Sequence, residues 1–220
     1  MIQIRHKSTG AVLLALEAES LAGAKLTGTK LQGASLQGQD LRGAYISNAD
    51  LREADLRGAD LTNANMNGTA LDFVNAAHAK LNGADLTDCT LAGADFTEAD
   101  MQGVNLRYAK LEGANLTGAN LSKSDLSMTN LRANLSAANL QGADLRAADL
   151  TSANLMNANL QDANLKSANL NCAIMTRART GQAATKPAAG RGPATASATA
   201  TVNHAKVPAK PSKPWWQFWG

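Results

Sequence analysis

Large apolar residues recur at every fifth position along most of this chain. They fall at Leu21, Leu26, Leu31, Leu36, Leu41, Ile46, Leu51, Leu56, Leu61, Met66 and Leu71. Ala76 takes the next place, and the series then runs from Leu81 to Leu131. After one four-residue step it resumes at Leu135 and continues to Leu170 and Met175, giving 32 units. Two residues before each of these centres the side chain is small, and in 23 of the 32 units it is Ala. Most exceptions are compact too: Thr29, Thr69, Val74, Cys89, Val104, Ser124 and Thr129; only Glu19 and Gln39 are not. Residues two apart on an extended chain point to the same side. The small and large positions therefore face inward together, and the residue between them, usually Asp or Asn, faces out. Each unit closes with a polar residue and then often Gly, which tolerates turn geometry at little steric cost.

A period of five fits neither an amphipathic helix at 3.6 nor a plain strand at 2. An Asn, Asp or Gly in nearly every unit would also weaken a helix by about 0.5–1 kcal/mol each. A short extended step followed by a corner does fit, with each coil burying its apolar edge on the next. The pattern A-[D/N]-L-x-x, as in LRGADLTNANMNG and AADLTSANLMNANLQDANL, resembles the pentapeptide-repeat family over about residues 19–175. The resemblance implies an all-β fold, a right-handed quadrilateral parallel β-helix with four units per coil. The 32 units would make about eight coils, a rod of about 40 Å at the usual strand spacing. Leu51, Leu56, Leu61, Leu86, Leu91, Phe96, Leu116, Leu121, Leu145, Leu150, Leu155 and Leu160 are expected to form its core.

Two irregularities interrupt the repeat. At LDFVNAAHAKL, residues 71–81, Ala stands where a Leu column would place a large side chain. Val74 can fill part of the resulting void, and the alternative is a functional notch near Phe73 and His78. At TNLRANLSAANL the four-residue step from Leu131 to Leu135 should tighten a corner, with regular stacking resumed by Leu140. A one-residue slip left unabsorbed would turn inward residues outward.

The ends differ from the repeat. Ile2 and Ile4 alternate with polar neighbours, Ser8-Thr9-Gly10 supplies a turn, and Val12, Leu14 and Leu16 alternate again. Residues 1–18 are expected to be a β-hairpin cap, since an open solenoid end exposes core and unpaired backbone. Residues 176–213 are rich in Ala, Thr, Pro, Lys and Gly, as expected of a disordered linker. Residues 214–220, PWWQFWG, hold all three Trp of the chain and one of its three Phe.

Composition and charge sharpen this division. Hydrophobic residues make up 45% of the chain but aromatics only 4%, so Leu and Ala supply the interior and the core is thin. Residues 1–175 carry 14 Lys/Arg against 18 Asp/Glu, whereas residues 176–220 carry seven Lys/Arg and no acid. A mildly acidic body bears a basic tail. The start of the chain has neither the long apolar core nor the cleavage site of a signal peptide, and no stretch approaches the ~18 apolar residues of a membrane span. Cys89 and Cys172 lack metal spacing, so free thiols and a cytoplasmic location are expected.

No catalytic pattern is present. His6, His78 and His204 are scattered. Cys89 occupies a small inward position, Cys172 falls on a corner, and the Asp residues recur at the outward slot. The glycines lack the phosphate-loop spacing GxxxxGK[ST]. No metal, cofactor or enzymatic role is expected. The expected function is that of a non-enzymatic scaffold or protein-interaction module. Trp215, Trp216, Phe218 and Trp219 are the candidate contact residues, since aromatic side chains favour binding sites. Their target is a protein partner, a membrane surface contacted peripherally, or the open end of the β-helix itself; a homodimer through the β-helix ends is a further expectation. The resemblance also implies a second function, because some family members mimic DNA and bind DNA gyrase. A third is nucleic-acid binding through the basic tail, disfavoured because its aromatics are bunched rather than interleaved with its charges.

Overall fold

Each five-residue unit turns one corner, and the backbone hydrogen bonds explain how. In the unit at Leu51, the Ala54 N–H donates to the Leu51 carbonyl at 3.0 Å, closing a tight turn through Arg52 and Glu53. The second turn residue has positive φ, the signature of a type II turn. Every centre from Leu21 to Met175 except Leu131 is followed by such a residue, either Gly or one of eighteen others. The remaining backbone groups bond to adjacent coils. Leu51 N–H donates to the Ala70 carbonyl at 2.8 Å, Glu53 N–H to Asp72 at 3.0 Å, and Asp50 N–H to Thr29 at 2.9 Å. A single unit satisfies only its own turn, so the coils are stable only when stacked.

A computed structural model describes residues 1–181 of the chain. Trp215, Trp216, Phe218 and Trp219 lie outside the described residues, as do residues 182–213. Parallel bridges join residues twenty apart, as in Lys25↔Tyr45, Tyr45↔Asn65 and Asn65↔Asp85. Twenty residues are four units, so each coil has four sides. The four bridge columns begin at Lys25, Lys30, Ser35 and Asp40, and each contains eight rungs. Among the described residues, strands longer than one bridge occur only at the first and last coils: β1 (Ile2–Arg5), β2 (Val12–Leu16), β3 (Asn159–Leu160) and β4 (Arg179–Thr180).

The interior is made of the inward pairs. Leu51, Leu56, Leu61, Leu86, Leu91, Phe96, Leu116, Leu121, Leu145, Leu150, Leu155 and Leu160 are all buried in one cluster with the alanines of the small position. Where that position carries a polar atom, the atom is paired: the Thr69 hydroxyl donates to the Ile46 carbonyl and the Ser124 hydroxyl to the Leu121 carbonyl. Among the described residues no buried side-chain nitrogen or oxygen lacks a partner. The outward Asp and Asn are half-buried rather than free. Their carboxylate or amide oxygens accept the backbone N–H two residues on, as Asp55 does from Arg57 at 3.2 Å. This local turn explains why Asp and Asn fill the slot. Stacked amides add a ladder: Asn159 donates to Asn139, and Asn139 to Asn120, each at 3.1 Å.

Ala76 leaves no opening on the surface and is fully buried. The twenty-residue register supplies the reason: Leu56, Ala76 and Phe96 occupy successive rungs of one column, since Leu56 N–H bonds Asn75 and Ala76 N–H bonds Asp95. The large Phe96 ring occupies the next rung of the column, and Val74 in the small position is buried in the same cluster.

The four-residue step is absorbed inside one corner. Ala133 N–H donates to Leu131 at 2.8 Å, a turn one residue shorter than its neighbours. Leu131, Ala133 and Leu135 all stay buried. Bridges there shift to nineteen apart, Asn115↔Asn134, and return to twenty at Asn134↔Asn154. Stacking therefore resumes at Asn134, within the expected limit of Leu140.

β1 and β2 pair antiparallel and close the first coil. Ser35 N–H donates to Arg5 and Lys7 N–H to Gly33, both at 2.8 Å, and Ile4 is buried against the coils. The alternation expected along Val12, Leu14 and Leu16 holds for Leu14 and Leu16, which pack against the core, but not for Val12. The register shifts between Ile4 and Arg5, so Leu13 joins the core while Val12 is exposed. Such a bulge adds one unpaired residue and reverses the facing beyond it. At the other end the solenoid runs past Met175, the expected boundary. Arg179 and Thr180 pair in parallel with Asn159 and Leu160, so residues 176–180 belong to the last coil and not to the linker.

Candidate interaction surface

The turn slots determine what the wall presents. A side chain at positive φ costs about 1–2 kcal/mol relative to Gly, and the second turn residue projects at an edge between two sides. Small or polar residues fill most of these slots. Three are filled by large side chains instead: Phe73 (67% exposed), Tyr108 (43%) and Met128 (50%). Tyr108 and Met128 sit on adjacent coils of one edge, because Asn105 bridges Asp125. The same edge carries Asp88 on one side and Ala147 on the other. The Arg107 guanidinium holds the tyrosine, lying 4.8 Å from the ring centroid and donating to the hydroxyl at 2.9 Å.

Phe73 and His78 do not form a joint notch. They follow successive centres and so project from different edges. The Phe73 ring lies 2.7 Å from where a side chain at position 93 would begin, so any side chain there would push the ring aside. His78 Nδ1 lies 3.4 Å from Glu98 on the next coil.

Four of the wall's carboxylates are neutralised locally. Arg at the first turn position folds back onto the preceding Asp: Arg42 on Asp40 at 2.7 Å, and Arg52 on Asp50, Arg57 on Asp55 and Arg146 on Asp144 at 2.6 Å. The Arg42 guanidinium holds the Asp40 carboxyl down to about 2. Asp50, Asp55 and Asp144 are lowered in the same way by their arginine hydrogen bonds. Glu112 lies 3.5 Å from Arg132. Cys89 is buried, its thiol pointing at the Met66 carbonyl at 3.1 Å, and burial pushes its pKa up to about 12. Cys172 is exposed at a corner. Among the described residues no three His, Cys, Asp or Glu side chains group as metal ligands. No described helix is long and apolar enough to cross a membrane.

The sequence pattern marked the terminal tryptophans but not Tyr108 and Met128. Their signal is a bulky residue in a slot usually held by Gly or a small polar residue, repeated at the coil length of twenty.

The stacked four-sided coils define a parallel β-solenoid repeat protein. Eight copies of a model described as pentapeptide repeats match the chain, at residues 20–58, 40–75, 71–107, 99–133 and 133–171. The chain belongs to the pentapeptide-repeat family, whose members fold as right-handed quadrilateral β-helices. No curated protein matched. Among solved structures, HetL of Nostoc sp. strain PCC 7120, a protein involved in heterocyst differentiation regulation, is 30% identical. The match covers 71% of this chain and 89% of that one, with a TM-score of 0.42. A pentapeptide-repeat protein of the Arabidopsis thaliana thylakoid lumen is 34% identical over 41% of this chain and 61% of its own, with a TM-score of 0.34. QnrB1, a plasmid-mediated fluoroquinolone resistance protein, is 19% identical over 73% and 91%, with a TM-score of 0.36.

Proposed function

We propose that this chain is a non-enzymatic interaction scaffold whose solenoid wall binds a protein partner along the edge formed by Asp88, Tyr108, Met128 and Ala147. The observation that carries this reading is the placement of Tyr108 and Met128. Both are exposed, both sit at positive φ, and neither contributes to the buried core. The fold would be more stable with Gly in either slot, so a second demand accounts for them. Tyr, Met and Arg are enriched at protein interfaces, and Arg107 stands beside the pair. A polar wall surrounds this apolar centre, the arrangement of an anchor within a rim.

The charge balance favours this reading over DNA mimicry. A duplex mimic requires a strong excess of negative charge, whereas residues 1–175 carry 14 Lys/Arg against 18 Asp/Glu and Asp40, Asp50, Asp55 and Asp144 are each paired with an arginine. Trp215, Trp216, Phe218 and Trp219 are a second candidate contact element, outside the described residues.

The test places a photo-crosslinking amino acid at position 108, with a control at Gln141, in cells that make the protein. The reading expects one protein to crosslink at 108 and not at 141. The variant carrying Tyr108→Gly and Met128→Gly should fold with an unchanged or higher Tm and lose that partner. Equal capture at both positions, or a partner retained by the double variant, would contradict the reading.

A further inference from the structure

We propose that the segment Pro214–Gly220 plugs the open last coil of this same chain. The two ends of the solenoid are treated differently in the described structure. The first coil is closed by β1 and β2, and Ile4 is buried there. At the last coil, inward residues Leu165, Leu170 and Met175 are only partly buried, whereas Leu145, Leu150 and Leu155 one coil earlier are fully covered. The backbone repeats this contrast. Leu145, Leu150 and Leu155 N–H donate to Asn164, Asn169 and Ile174. The corresponding groups of Leu165, Leu170 and Met175 have no acceptor among the described residues. An end of this kind is an apolar mouth whose rim donors have no acceptor among the described residues, the situation that capping resolves in solenoids.

The chain itself supplies a matching occupant. It leaves from this mouth: β4 ends at Thr180, and Gly181 lies against Asp162. Residues 182–213 contain no Trp, Phe, Leu or Ile. A chain of that length spans roughly 30 Å as a coil, more than enough to return to its own starting point. The next seven residues then bring Trp215, Trp216, Phe218 and Trp219 together. Each such ring buries roughly 150–250 Å², and the largest side chain at the mouth is Met175, so rings would fill space that the coil does not. The plug is independent of the wall reading, since the mouth and the Tyr108 edge are separate surfaces.

All three tryptophans lie in this segment, so tryptophan emission of the full chain reports on it alone. The proposal expects blue-shifted emission, shielded from acrylamide and unchanged on dilution. Met175→Glu should shift it red while far-UV circular dichroism stays native. Should Met175→Glu fail to fold, deletion of Pro214–Gly220 provides the second readout. Amides in the last coil, such as Ile174 and Asn169, should then lose protection from hydrogen exchange while those near Leu56 keep it. Solvent-exposed emission in the free protein would overturn the proposal. Blue emission that fades on dilution would replace the plug with a second copy of the chain. Blue emission that survives Met175→Glu but is lost in Tyr108→Gly would place the segment on the wall. A blue shift that appears only with phosphatidylglycerol vesicles would assign it to a membrane surface.

Discussion

Exchanging the sizes of two stacked side chains tests the interior at its one unusual rung. Ala76 and Phe96 lie on adjacent rungs of a column that otherwise holds Leu36, Leu56, Leu116, Leu135, Leu155 and Met175. Ala76→Leu adds three carbons to a filled space, and such overpacking costs about 1–3 kcal/mol. Phe96→Leu removes three carbons beside a small neighbour. At about 0.8 kcal/mol per buried carbon plus a cavity contribution, the loss is about 2–4 kcal/mol. Together the two changes restore a continuous run of leucine from Leu36 to Leu155. The single losses add to about 3–7 kcal/mol, whereas the double variant should lie within about 1 kcal/mol of the starting protein, a coupling of about 2–7 kcal/mol, reaching beyond the 0.5–3 kcal/mol usual for neighbouring pairs. Urea denaturation followed by circular dichroism measures all four proteins. Additive losses in the double variant would mean that the two side chains do not share a column, and the compensation argument would fail.

Gly58 has positive φ and open space around it, so Gly58→Ala should cost about 1–2 kcal/mol from backbone strain alone, read as a lower urea midpoint. Inserting Gly between Arg132 and Ala133 should restore a full corner and preserve cooperative unfolding. The same insertion between Ala138 and Asn139 should abolish it, because the slip there reverses inward and outward residues. Acid should destabilise the fold through its arginine-paired carboxylates. Their folded pKa values lie below the unfolded value of about 3.9, so their contribution is complete above that pH and is lost as pH falls towards the folded values, about 2 for Asp40. Each exposed pair contributes little. Replacing Arg52, Arg57 and Arg146 with Gln should flatten the fall in Tm between about pH 5 and 2, and an unchanged slope would contradict the assignment.

The unit of the fold was legible in the sequence because burial repeats it: Leu51, Leu56 and Leu61 face one interior at five-residue spacing. The four units per coil came from the family resemblance, since a period of five does not itself specify how many corners close a turn of the solenoid. The pairing of particular side chains across coils was not legible. Ala76 therefore looked like a void until Phe96, twenty residues away, was placed beside it. Tyr108 and Met128 escaped notice for the same reason, being neighbours only across a rung. Val12 was misplaced because a bulge leaves alternating sequences unchanged while reversing their facing. The last unit was missed at Thr180, whose centre is small and polar and offers no apolar mark. The terminal tryptophans stood out from composition alone, yet their destination depends on the open mouth that only the stacked coils reveal.

Every surface described depends on one register, twenty residues per coil, and its rise can be measured directly. Ala22, Gln102, Gln141 and Gln161 are exposed and occupy equivalent first turn positions of one edge. With Cys172 replaced by Ser, nitroxide labels at position 22 and at 102, 141 or 161 give three distances by pulsed dipolar spectroscopy. Four, six and seven rungs at about 4.8 Å predict separations of about 19, 29 and 34 Å. A linear increase of about 4.8 Å per coil would support the stacked account. Distances that rise without that proportion, or that fail to grow from 102 to 161, would contradict it.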